Sequence, residues 1–112
     1  MMEDWQLLED YVRRGSESAF RSLVSRHLGL VYAAAFRQVN DSGLAEEVSQ
    51  AVFILLARKA RSLPRRTILA GWLFRTTRFV ASRALRSEVR RQRREQQAVD
   101  MLHPGYSRPR RR

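Results

Sequence analysis

The chain has 112 residues, no cysteine and a formal net charge of +11. That length suits one domain, or one domain with a tail, and the missing thiols exclude a disulfide framework and any thiolate metal site. No apolar run reaches the roughly 18–20 residues that a bilayer span needs. The start, MMEDWQLLED, is acidic where a secretory signal is basic. These features predict a cytoplasmic protein.

The charge is polarised. Residues 1–57 hold five arginines and eight acids, a net of −3, whereas residues 58–112 hold seventeen Lys or Arg and three acids, a net of +14. One half therefore offers a strong field to a polyanion and the other does not. Lys59 is the only lysine. Arginine's planar fork suits bidentate contact with phosphate or guanine and stacks on bases.

In chain order, Asp4–Arg14 reads as a short amphipathic helix with Trp5, Leu7, Leu8, Tyr11 and Val12 on its apolar side. Gly15 suits the left-handed residue after the helix end, and Ser16 suits the cap of the next. Glu17–Val39 is expected as the second helix, burying Phe20, Leu23, Val24, His27, Val31, Ala34 and Ala35 on one broad side. His27 there reads as a core histidine, not a ligand. It and His103 lack the spacing of a zinc pair. Asn40, Asp41, Ser42 and Gly43 form a turn cluster.

The third helix is expected from about Leu44 to Arg61, with Leu44, Val48, Ala51, Val52, Leu55 and Leu56 inward. Glu46 and Glu47 in its first turn, and Arg58, Lys59 and Arg61 in its last, match the helix dipole. Pro64 ends it. The loop Ser62–Leu69 carries Arg65 and Arg66 to the start of a long helix, Gly71–Glu95. There Leu69, Trp72, Leu73, Thr76, Val80, Ala84 and Leu85 recur at helical spacing and are expected to face a core. Arg75, Arg78, Ser82 and Arg86 recur on another side, near Phe79, Arg83 and Arg90. Among these arginines only Glu88 and Glu95 carry negative charge, too few for an ordinary solvated face of mixed sign. The end, HPGYSRPRRR, reads as tail or linker.

No catalytic constellation, P-loop or dinucleotide glycine pattern is present, so the sequence predicts no enzyme and no cofactor. Three features together predict a nucleic-acid-binding surface. They are the charge asymmetry, the aromatics Trp72, Phe74 and Phe79 interleaved with Arg75 and Arg78, and the Arg65–Arg66 loop at the helix start. Aromatics beside cations stack unpaired bases while the arginines hold the backbone, and a basic loop at a helix start suits a phosphate or an extruded base.

The segments LAEEVSQAVFILLARK and GWLFRTTRFVASRALR, separated by a proline loop, resemble region 2 of the sigma-70 family of bacterial sigma factors, and within it the extracytoplasmic-function group. Glu46, Glu47, Gln50, Val52 and Phe53 match the family's D-A-E-D-L-V-Q-E-V-F-L pattern. Trp72, Leu73, Arg75 and Arg78 match W-L-x-R-I-A-R-N, and SAFRSLVSRHLGLVYAAAFR is similar to the family's preceding helix. The likeness covers roughly residues 4–95. It implies an all-α fold, a compact bundle of four helices with a long basic last helix, over residues 4–95. Residues 96–112 would be a disordered basic tail or the start of a linker.

The resemblance also implies function: docking on core RNA polymerase, at the clamp helices of its largest subunit, and recognition and melting of the promoter −10 element. On that likeness Glu46, Glu47, Gln50, Phe53 and Arg58 would meet polymerase. Arg65, Arg66, Trp72, Arg75, Arg78, Phe79, Arg83 and Arg86 would meet DNA. An anti-sigma regulator is a candidate partner; a membrane is not. Ala51 stands where the family commonly has an acid, which predicts weaker docking. Phe79 and Arg83 stand where asparagine and aspartate are common, so base preference is not transferable. The family's second, −35-binding domain would follow the linker, leaving this chain as a fragment, a truncated product or a stand-alone region 2. Rival expectations are a polymerase-binding module without promoter-directing activity and a general basic nucleic-acid-binding helical protein.

Overall fold

A computed structural model describes residues 2–102. Four helices follow one another: α1 (Asp4–Arg14), α2 (Glu17–Val39), α3 (Ser42–Lys59) and α4 (Leu69–Leu102), with a 3₁₀ turn at Ala60–Ser62. No strand occurs among the described residues, and none of the helices there is long and apolar enough to cross a membrane. The expected all-α, four-helix architecture is the observed one.

Local chemistry sets the helix ends. Gly15 adopts φ 65°, and its N–H bonds back to Tyr11 O, closing α1. Ser16 Oγ then accepts from Ala19 N at 3.2 Å to open α2. Asn40, at φ 56°, ends α2 in the left-handed region that asparagine tolerates. Asp41 Oδ1 accepts from Leu44 N at 2.8 Å. That cap starts α3 at Ser42, so Ser42 and Gly43 lie inside the helix and not in the expected turn.

α4 packs against α2 and α3, and α1 lies on α2. The core holds Leu7, Leu23, Val31, Ala35, Val48, Val52, Leu56, Leu69, Leu73 and Ala81. On α4 the buried residues are Leu69, Leu73, Thr77 and Ala81. The expected stripe through Trp72, Thr76, Val80 and Ala84 flanks this line and is only half-buried. Two neighbours cover a wide arc of α4, and the middle of that arc falls on Leu73 and Thr77. Thr77 fits there because its hydroxyl donates to Leu73 O at 2.7 Å, leaving nothing polar unpaired. α3 shows the same shift: Ala45, Ser49 and Phe53 are buried, whereas Ala51 and Leu55 are half-buried. Ser49 Oγ satisfies itself on Ala45 O at 2.8 Å.

His27 is half-buried, and its Nε2 lies 2.9 Å from Asp4 Oδ2, while Arg26 Nη1 donates to Asp4 Oδ1 at 2.8 Å. Asp4 thus ties α1 to α2.

The last helix runs on past its expected end at Glu95 to Leu102. Residues 96–102 are therefore helix and not the expected disordered tail. Gln96 Nε2 bonds Asp100 Oδ1 at 2.9 Å within that stretch. The rest of the expected tail, residues 103–112 with His103, lies outside the described residues.

Leu73 is completely buried where α4 meets α2 and α3. Leu73→Ala is expected to cost about 2–5 kcal/mol. Urea denaturation should show a lower midpoint at unchanged slope.

Candidate nucleic-acid and polymerase interfaces

α4 spans 34 residues, about 51 Å at a rise of roughly 1.5 Å per residue. Because Leu69, Leu73, Thr77 and Ala81 point inward, helical geometry turns Arg75, Phe79 and Arg86 to the opposite side, while the expected fourth member of that side, Ser82, is half-buried. Arg78 and Arg83 flank them. Arg75, Arg78, Phe79, Arg83 and Arg86 are all exposed, Phe79 by 58%. Among the described residues none of these four arginines forms an ion pair; the ion pairs there join Asp4, Glu9, Asp10, Glu88 and Glu95 to Arg13, Arg14, Arg26, His27, Arg65 and Arg91. The result is a cationic face with an aromatic ring in its middle. The Arg83 guanidinium sits 5.6 Å from the Phe79 ring centroid, covering it loosely. Gln38 Nε2 on α2 bonds Arg78 O at 3.2 Å and Ser82 Oγ at 2.7 Å, which pins this stretch of α4 to the body.

The structure distributes the sequence-predicted DNA residues unevenly. Trp72 is half-buried and packs against the core, so only part of its ring is open to the surface. Arg66 is exposed on the loop. Arg65 is exposed too, but it turns to α1: its guanidinium lies 4.3 Å from the Trp5 ring centroid, and its Nε is 3.9 Å from Glu9 Oε2. Two exposed apolar side chains extend the surface at the start of α4, Ile68 at 78% and Phe74 at 41%. Phe74 was legible as an aromatic off the apolar stripe. Ile68 carried no signal beyond its place between a basic loop and a helix.

On α3, Glu46, Glu47, Gln50 and Arg58 are exposed. Glu46 and Gln50 stand one turn apart on the rim of a groove of about 760 Å³ between α2 and α3, with Ile54 a turn further on. Phe20, Val24, Leu28, Tyr32 and Phe53 help to line it. Phe53 is only 8% exposed and belongs to the core cluster, so it forms floor and cannot project toward a partner as a free side chain. Leu28 and Ile54 supply exposed apolar surface that the sequence reading missed. The available signal was the i, i+4 line Glu46–Gln50–Ile54, which runs away from the buried stripe.

Beyond Leu85, α4 has no buried residue. Local pairs carry this arm. Arg91 donates to Glu88 and, at 3.0 Å, to Glu95 Oε1. The hydrogen bonds from Arg91 hold the Glu88 carboxyl below its ordinary 4.5, and Glu88 in turn raises the Arg91 guanidinium. A lowered carboxyl contributes above its ordinary value and loses that contribution as pH falls through the lowered one. Helicity of the arm should therefore hold from neutral pH to about 4.5 and decline below it. Far-UV circular dichroism is the check, and Glu88→Gln should flatten the acid limb.

Comparisons with known proteins agree with this architecture. The Sigma-70 region 2 family model matches residues 23–94. A solved structure, the NMR structure of an engineered region 2 of sigmaE in complex with GTAAAA, is similar at 31% identity and a TM-score of 0.73. The match covers 80% of this chain and 93% of that one. No curated protein matches the chain.

Proposed function

Since the chain belongs to the sigma-70 region 2 family, we propose that it acts in transcription initiation as the domain that reads and opens the promoter −10 element while held on core RNA polymerase. The observation that carries this reading is the exposed face of α4, where Arg75, Arg78, Arg83 and Arg86 surround Phe79 with no acid in their midst. Such a face grips a single strand through phosphate contacts and a base stacked on the ring. The similar sigmaE region 2 was solved with the oligonucleotide GTAAAA, which supports a −10-type strand as the ligand here.

In this reading, duplex promoter is first attracted by the arginines with release of counterions. Bases of the opened strand then lodge against Phe79, Phe74 and the 63–68 loop, and specificity comes from those extruded bases. Arg65, Arg66, Trp72, Arg75, Arg78, Phe79, Arg83 and Arg86 form the DNA side. Glu46, Glu47, Gln50 and Arg58 on α3 form the polymerase side, with the Phe53-floored groove beside them. The clamp helices of the largest polymerase subunit are the proposed dock, and an anti-sigma protein is a proposed competitor for the same surface. Residues 4–95 act as the domain, and the end of α4 leads away from it.

Binding of the full chain to a fluorescent −10-type single strand should weaken steeply with salt. Arg78→Ala should weaken it across sequences and lower the magnitude of the log–log salt slope by about 1. Equal affinity for duplex and single strand with no salt slope would contradict the reading. On the other face, Glu47→Arg should reduce co-purification with core polymerase and leave binding to the free oligonucleotide intact or stronger. Polymerase capture without any run-off transcript would favour an interaction module that occupies polymerase without directing initiation.

A further inference from the structure

The loop at the entrance to α4 has few ties to the body. Leu63 packs against the core, and Thr67 N bonds Pro64 O at 3.0 Å, an interaction internal to the loop. Arg66 and Ile68 are exposed. At the loop's tip the link to the helical body is Arg65, whose guanidinium lies on the Trp5 indole of α1, 4.3 Å from its centroid. The Arg65 side chain is nevertheless 68% exposed. A stacked guanidinium keeps its N–H edge for hydrogen bonds in its own plane, so Arg65 is seated without being used up.

Glu9 does not account for the seat. Its carboxylate stands 3.9 Å from Arg65 Nε and also 3.9 Å from Arg13 Nε, two loose exposed contacts of the kind that contribute little. The indole provides the close contact. Beneath it, a pocket of about 320 Å³ separates α1 from the loop, lined by Leu8, Val12, Leu63, Pro64 and Leu69 among others. The loop spans this gap, and Arg65 on Trp5 holds its tip across it.

We propose that Trp5 is a positioning residue for promoter DNA: its indole seats the Arg65 guanidinium and thereby sets the 63–68 loop at the entrance to α4. This rests on the promoter-reading function proposed above. It makes α1, far from the cationic face in sequence and acidic in composition, part of the recognition apparatus. Trp5 touches no DNA in this scheme and acts only through Arg65. A seated Arg65 meets the strand with one geometry; a released one must be ordered at the moment of binding, at an entropic cost to affinity.

The test is a double-mutant cycle on the full chain, read as affinity for a −10-type single strand at fixed salt. Trp5→Leu keeps the apolar bulk and removes the aromatic face. It should weaken binding about two- to five-fold, the size of an exposed cation–π contact. Trp5→Phe should restore most of that loss. Combined with Arg65→Ala, Trp5→Leu should add nothing to the effect of Arg65→Ala alone. Circular dichroism checks that the variants remain folded; Trp5 is already 38% exposed, so its replacement opens no sealed core site. Additive losses, full affinity in Trp5→Leu, or a Glu9→Gln variant that reproduces Trp5→Leu would each overturn the proposal. In those cases Arg78→Ala still weakens binding, and the promoter-reading function stands. If the wild-type chain ignores the strand and Arg78→Ala changes nothing, both fall together.

Discussion

Everything in this protein depends on the burial of one line of α4. Leu69, Leu73, Thr77 and Ala81 lie against α2 and α3, and the one polar member, Thr77, is satisfied by its hydrogen bond to Leu73 O. Once that line faces inward, the 3.6-residue period turns Arg75, Phe79 and Arg86 outward. The core and the cationic surface are two sides of one constraint. A rotation of α4 by half a turn would bury Arg75 and Arg86 without partners, which the interior does not tolerate.

The same kind of constraint sets the exposed side of α3. α3 is buried along Ala45, Val48, Ser49, Val52, Phe53 and Leu56, so Glu46, Glu47 and Gln50 are left exposed. The one acidic element close to the basic loop is α1. There Glu9 is divided between Arg13 and Arg65, and the aromatic face of Trp5 takes the guanidinium.

The exposure of the candidate site's arginines was legible because arginines with no acid among them leave few places to fold except outward. Arg75, Arg78, Arg83 and Arg86 are exposed as their pattern implied. Trp72 and Phe53 were harder. Each lies at the margin of a buried arc, where a wheel drawn for one helix cannot say which side the neighbours cover. Arg65 was harder still: nothing local to RSLPRRTIL points to a tryptophan sixty residues earlier in the chain.

By itself the sequence determined the four helices, the ends of α1 and α2, and the charge polarity, because caps, glycine, proline and hydrophobic period act within a few residues. The last helix outran its expected end because i, i+3 and i, i+4 pairs sustain an arm in which no residue is fully buried. Only the tertiary structure decided which arc of each helix is the core, that Phe53 is floor, and that Trp5 meets Arg65. Those depend on where two or three helices converge, and packing between elements distant in sequence, not periodicity within one, sets that place.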